Sequence, residues 1–294
     1  MLHTAKIQFL YAVFYEKKKK TWISFSIQAI LPCEIIPDSF SQKPKAGTTY
    51  KMTQNQKVNT FYNHYAQDRS TKFGDRLVKA TSGRIFEFAR ITRGCSVLEI
   101  GPGRGAFADI CLEKNIEYWA IEPNEKMADA LEKRGVTVLR ETVPPVPNLQ
   151  RTFDVVVMVH VMEHMDTMSA ALQVAKEIYG ILSANGKFVI SSPDYLNWRH
   201  HFYPGDFSHN YVTSWRRLNG LLISAGFEDI EGMYLSGPVR GLMCFLISGF
   251  VSLLPLDAIS AMFPGNRLLY KLAKIQGTFL RSVVVLGKKQ ASPE

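Results

Sequence analysis

The sequence predicts an α/β protein: a mostly parallel sheet of seven strands with helices on both faces, plus an apolar helical insert before the last strand. Three observations lead there. Strand-length runs that are apolar on both faces recur through the middle of the chain, as they do when helices cover both sides of a parallel sheet. Amphipathic stretches of helical length separate most of these runs. The first run opens into a glycine-rich turn followed by a helix, the strand–turn–helix unit of ligand-binding α/β sheets.

The elements follow in order. A helical pattern covers 58–90, interrupted near 70–74. Strands are predicted at 96–100, 117–121, 136–139, 154–159 and 186–191, with helices between them such as 127–133 and 168–182. A loop rich in aromatics and histidines, 194–211, leads to a helix over 213–225 that Gly226 stops. A strand over 227–234, a strongly apolar segment and a last strand over 282–286 complete the domain. Asp154, at the head of its strand, reads as a turn or capping residue. Phe61, Tyr62 and Tyr65 recur at helical spacing, as a core face or as a lid over a site.

Residues 1–51 differ from the rest. They join an apolar patch, the run Lys17–Lys20 and a stretch of Pro, Ser, Lys and Gly without a sustained period. A poorly ordered leader is expected over 1–51, and one domain over 52–294 with its apolar insert at 238–280. The leader carries +5 of the formal charge of +9. The remaining +4 is spread without a basic stripe interleaved with aromatics, so nucleic acid is not an expected partner. With 46% hydrophobic and 21% charged residues, the chain has enough apolar material for a substantial core. Cys33, Cys95, Cys111 and Cys244 show no C-x-x-C spacing, and free thiols in a reducing compartment are expected.

The informative stretch is VLEIGPGRGAFA, residues 97–108. Gly101, Gly103 and Gly105 stand where a chain leaves a strand, turns and starts a helix, so a ligand can approach main-chain atoms closely. The helix directs its free N–H groups and positive dipole end at that position. These glycines alone also satisfy the G-x-G-x-x-A fingerprint of NAD enzymes. Two carboxylates tip the balance: Glu99, within the strand, and Glu122, which ends the next strand about 20 residues on and can take both hydroxyls of a ribose.

With these residues the chain resembles class I S-adenosylmethionine-dependent methyltransferases, and within them the small-molecule group similar to ubiquinone-biosynthesis O-methyltransferases. VLEIGPGRGAFA resembles the glycine motif, and YWAIEPNEKM the ribose strand, with Glu122 and Pro123 at its end. FDVVVMVHVMEHM resembles the fourth strand with its Glu-His ending, and LSANGKFVISSPD the helix–Gly–fifth strand signature. The resemblance runs over 58–227 and returns at 282–288. It implies a Rossmann-like sheet and S-adenosyl-L-methionine as cofactor. Glu99 would accept from donors that hold, or belong to, the amino-acid end of the cofactor, and His160 would lie near its methionine end. The family's acidic residue near the adenine has no clear counterpart; Glu141 or Thr142 could reach it.

Methyl transfer needs alignment, exclusion of water and, for a hydroxyl acceptor, a base. Candidates are His160, Glu163 and His164 after the fourth strand, and His200, His201, Asp206 and His209 after the fifth. His209 is the preferred base, because imidazole titrates near neutrality; His160 is the second catalytic candidate, and His164 reads as structural. The four groups of the later loop also suggest a metal site, but loop spacing does not define coordination geometry and none is assigned.

Residues 241–256 carry no charge, and as a helix they would span about 24 Å, less than the roughly 20 residues needed to cross a bilayer. A buried helix, a dimer face and a helix lying in the membrane interface over 241–262 compete, with membrane contact favoured. The function expected is methyl transfer to a small or lipid-linked acceptor, most readily on oxygen, by a cytoplasmic enzyme able to sit on the inner face of a membrane. An NAD-dependent oxidoreductase and a non-catalytic membrane-associated relative of the fold are the rivals.

Overall fold

The computed structural model describes residues 71–291. The leader 1–51, Cys33, and Phe61, Tyr62 and Tyr65 lie outside the described residues.

Helix α1 (Lys72–Ala89) starts where Thr71 Oγ1 accepts the Gly74 N–H at 3.0 Å. Its inner stripe of Ser82, Ile85, Phe86 and Ala89 follows the helical period. Strand β1 (Ser96–Ile100), α2 (Ala106–Glu113), β2 (Glu117–Ile121), α3 (Glu125–Glu132) and β3 (Thr137–Leu139) follow. Then come β4 (Phe153–Val159), a 3-10 turn (Met162–His164), α4 (Met168–Ile181) and β5 (Leu182–Pro193). Asp154 accepts from Ser96 N–H at 2.8 Å and Ser183 Oγ at 2.8 Å, a capping role at the foot of three neighbouring segments.

Alternation along the strands fills both faces of the sheet. Leu98, Ile100, Val156, Met158, Phe188 and Ile190 pack with Val174 and Ile178 of α4 on one side. Val97, Val155, Val157 and Val189 pack with Ile85, Phe86, Phe107 and Cys111 on the other. Burying each of the larger side chains contributes about 1.5–3 kcal/mol, and this two-sided demand is why these strands read as continuous apolar runs.

The sheet has eight strands in the order β3-β2-β1-β4-β5-β8-β6-β7, one more than the seven expected. The additional strand, β7 (Val239–Arg240), is a two-residue antiparallel partner of β6 (Glu228–Ser236), too short to announce itself by periodicity. β1 to β5 pair in parallel, whereas β8 (Arg281–Lys288) runs antiparallel to both β5 and β6. β5 begins earlier than expected because a bulge between Leu182 and Lys187, with Asn185 at φ 60°, keeps the first residue on the ladder.

The segment 194–211 is more structured than a loop. It folds as α5 (Tyr195–Trp198), a 3-10 turn (Arg199–His201) and α6 (Phe202–Gly205), before α7 (Trp215–Ser224) covers the sheet. The apolar insert forms α8 (Leu242–Val251), α9 (Leu256–Met262) and α10 (Arg267–Phe279). The stretch Leu242–Met262 is long and apolar enough to cross a membrane by length and composition alone. It is folded, however, as helices of 10 and 7 residues, about 15 and 10 Å long. Of the three readings of this segment, the buried helix is the one the fold does not support: α8 buries Cys244 and Ser248 and α9 buries none of its residues. By contrast β8 buries Val283, Val284, Val285 and Leu286 within the sheet.

Candidate active site

Glu122, Gly101, His160 and Asp194 follow the carboxyl ends of β2, β1, β4 and β5, four neighbouring parallel strands. At about 4.8 Å per strand they span about 15 Å. Sheet order thus gathers residues that lie far apart in the chain into one crevice, the position where open α/β sheets bind ligands.

The glycine turn is shaped by its surroundings. Gly101 has φ 70°, and a Cβ there would lie 2.6 Å from Val161 Cγ2. Gly103 also has a positive φ, but a Cβ would meet nothing within 4 Å; the space above it is a cradle open to a ligand. Gly105 is the N-cap of α2, and no side chain caps that helix, which leaves its amides available for a ligand.

Glu122 closes the turn from the other side. Its Oε2 accepts the Gly103 N–H at 3.0 Å and its Oε1 the Asn124 N–H at 2.9 Å. A carboxylate has about four acceptor positions, so each oxygen keeps capacity for a hydroxyl donor. Burial raises its pKa, opposed by the two backbone bonds from Asn124 and Gly103. Pro123 carries the chain from Glu122 to Asn124, whose Oδ1 accepts the Met127 N–H and caps α3. That capping role escaped sequence analysis, although Asn immediately before EKMADALE was the signal for it.

Glu99 occupies a different place. It is 2% exposed and accepts the Tyr118 hydroxyl from β2. Burial pushes its carboxyl up to about 8, against the Tyr118 bond and with help from the charge of Glu122. In this arrangement Glu99 is tied to β2 through Tyr118, directly before the glycine turn. Glu141 lies just past β3 and is exposed, with Thr142 half-buried beside it.

On the other half of the crevice, His160 holds a left-handed conformation at φ 55°, costly for a residue with a Cβ. Its Nδ1 donates to Glu163 Oε1 at 3.1 Å, and its side chain remains half-exposed. Glu163 is fully buried and also accepts from Ser192 Oγ at 2.7 Å. Burial opposes its ionisation, yet the hydrogen bond and charge of His160, with the charge of His164, hold its pKa below the ordinary value. Ser192 was missed in the sequence, since a serine near a strand end has no distinguishing spacing.

His209 is 7% exposed, and its Nδ1 donates to the Phe202 carbonyl at 2.6 Å. That bond leaves Nε2 with its lone pair in the neutral tautomer. Burial lowers its pKa and so favours the uncharged ring, against the opposing influence of Glu163 and the Phe202 carbonyl. His164 packs on it with ring centroids 5.0 Å apart and shares its Nδ1 with Ser208 Oγ at 2.9 Å.

His200, His201, Asp206 and His209 do not converge as a group. His201 pairs with Asp257 of α9 at 2.8 Å, and Asp206 accepts from the Ser208 amide at 2.9 Å. The groups that do converge are Glu163, His164 and His209, with ligand-type atoms within 4.8 Å of one another. They have the donor types to hold a cation.

The sheet departs from the all-parallel order of NAD-binding domains through its antiparallel β6–β8 pairing, and the fold is that of S-adenosyl-L-methionine-dependent methyltransferases. Solved structures with this fold include a methyltransferase of that class from Archaeoglobus fulgidus: 21% identity, TM-score 0.52, covering 78% of this chain and 99% of the other. A second, from Thermotoga maritima and described as a possible histamine N-methyltransferase, has 20% identity and a TM-score of 0.52, covering 80% and 97%. A cyclopropane synthase from Mycobacterium tuberculosis has 12% identity and a TM-score of 0.56, covering 81% and 99%. A family profile described as a methyltransferase domain matches residues 62–231, and the chain belongs to that family. No curated protein matches the sequence.

The crevice fits the cofactor of this class. Gly103 leaves room for it, Glu122 has acceptor capacity for ribose hydroxyls, and the uncapped amides of α2 suit a carboxylate.

Proposed function

We propose that the chain methylates a hydroxyl of a small or lipid-linked acceptor, with Glu122 and the glycine turn holding S-adenosyl-L-methionine and His209 taking the acceptor's proton. When bound, the cofactor supplies a methyl group already activated on a sulfonium. The protein must therefore hold, orient and keep water away. The observation that carries the reading is His209: buried, with Nδ1 committed to the Phe202 carbonyl and Nε2 left as an acceptor. An acceptor O–H directed at Nε2 would lose its proton to the ring, and Glu163 is near enough to favour the imidazolium that results.

His160, beside the end of β4, borders the methionine end of the cofactor in this reading, and its bond to Glu163 keeps the ring aligned. Oxygen as the methylated atom is supported by the resemblance to ubiquinone-biosynthesis O-methyltransferases and by the presence of a neutral base, which methylation of an already unprotonated amine does not need.

Two measurements test this. Isothermal titration with S-adenosyl-L-methionine should show binding that Glu122→Ala weakens by about 1.5–3 kcal/mol, with no response to NAD. Equal affinity in the variant, or tight NAD binding, would remove the central claim. Mass spectrometry of lipids and small molecules that gain one methyl group identifies the acceptor. His209→Asn should then lower kcat by about 10²–10⁴-fold while cofactor affinity stays within a factor of two or so. A loss confined to KM would show that His209 only shapes the site.

A further inference from the structure

We infer that α8–α10, together with the exposed edge of the 194–211 segment, form a face that docks on an anionic lipid bilayer and presents the active-site crevice to a membrane-resident acceptor.

The first observation is where the insert sits. β6 ends at Ser236, in register with Arg281, and Ser282 pairs with Pro193 at the carboxyl end of β5. The insert thus leaves and rejoins the sheet at the end where the crevice opens. It is also fastened to the acceptor side. Asn197 Nδ2 donates to the Ser248 carbonyl at 3.1 Å, and its Oδ1 accepts the Arg281 N–H at 2.8 Å. His201 pairs with Asp257, and Arg281 joins Asp194 at 2.6 Å while lying 4.7 Å from the ring centre of Phe245. Gln276 of α10 donates to the Val251 and Leu254 carbonyls, joining the third helix to the end of the first.

The second observation is what the insert shows to solvent. Among the described residues, nineteen large hydrophobic side chains are exposed; twelve lie between Leu242 and Ile275, and Leu196, Tyr203 and Phe207 of the acceptor segment add three. Leu242, Phe250 and Leu253 are 75%, 66% and 76% exposed. Apolar surface concentrated this way marks a face that is covered in the working molecule.

Charge selects what covers it. Between residues 239 and 280 there are four cations, Arg240, Arg267, Lys271 and Lys274, and one anion, Asp257, which is engaged by His201. Arg267, Lys271 and Lys274 recur at helical spacing beside exposed Leu268, Leu272 and Ile275, the composition of a helix lying in the membrane interface. A second copy docked through the same face would bring this cationic rim against itself, whereas an anionic leaflet complements it. Neither α8 nor α9 is long enough to span, so the face lies on the membrane.

For the acceptor the inference rests on the methyl-transfer reading above: the substrate class becomes a lipid or lipid-linked hydroxyl held at the interface. Docking itself does not depend on that reading.

The test uses the full chain, sedimented with vesicles of phosphatidylcholine alone and of equal parts phosphatidylcholine and phosphatidylglycerol. The protein should pellet with the mixed vesicles, and less so as salt rises. Because the leader carries Lys17–Lys20, variants in the insert decide the matter. Phe250→Asp with Leu253→Asp should lower partition by at least about tenfold with circular dichroism and S-adenosyl-L-methionine affinity unchanged. Lys271→Glu with Lys274→Glu should remove the preference for phosphatidylglycerol. As a check that needs no charge in the apolar face, Leu253→Trp should be quenched by brominated lipid.

Wild-type protein left in the supernatant with both vesicles, an unquenched Trp, or apolar-face variants that pellet like wild type would overturn docking. So would a wild-type dimer in velocity sedimentation that those variants convert to monomer. Docking without methylation of any vesicle lipid or lipid-linked hydroxyl would overturn the acceptor class, and absence of cofactor binding would overturn the methyl-transfer reading while leaving docking to its own result.

Discussion

Glu99 shows how one carboxyl can make a fold sensitive to pH. In an unfolded chain it titrates near its ordinary value of 4.5; in the fold, burial beside Tyr118 carries it to about 8. Folding therefore favours the protonated form. This contribution is fully present below about pH 4.5 and is lost as pH rises through 8. In cofactor-free protein, Glu99→Gln keeps the shape and an acceptor for Tyr118 but cannot ionise. Between pH 5 and 8 the variant's Tm should gain on that of wild type by several degrees, as thermal melts across that range would show. A constant difference between the two would mean that Glu99 ionises without cost, through access to water not evident in its burial.

At the scale of the element, the β1–α2 turn depends on Val161, which follows the carboxyl end of β4 and precedes the 3-10 turn. Gly101→Ala combines a left-handed backbone with a Cβ 2.6 Å from Val161 Cγ2, and should cost about 1–3 kcal/mol in urea unfolding. Adding Val161→Ala removes the clash but not the backbone strain, so the double variant should recover part of the loss attributed to Gly101→Ala, net of the cavity left by Val161. If Gly101→Ala matched wild type, the turn would have to relax without strain. Elements also explain which predicted boundaries moved. β1 and β2 lie where the apolar runs placed them because both faces are buried there, whereas β5 and β8 extend beyond their apolar centres, carried by backbone pairing that periodicity does not register.

For the whole molecule, every residue assigned to the crevice or to the docking face lies within 51–294, one compact unit. A chain lacking 1–51 should accordingly keep its Tm within about 2 °C and its cofactor affinity within a factor of two. A drop of ten degrees would show that the leader contributes to the fold. The crevice itself is a product of strand order: Glu122, Gly101, His160 and Asp194 meet because β2, β1, β4 and β5 are neighbours in the sheet.

The sequence by itself determined the α/β class, the parallel core and the glycine turn with Glu122, because periodicity and short-range spacing are local properties that burial on two faces imposes residue by residue. The tertiary structure alone decided what needs partners from distant segments. It turned Glu99 toward Tyr118, joined Glu163 to Ser192, and set the neutral tautomer of His209 through the Phe202 carbonyl. It also decided between a buried and an exposed insert, which composition could not do. An uncharged run looks the same whether it fills a core or faces outward, and only burial in the folded chain, Cys244 and Ser248 in α8 and none in α9, tells the two apart.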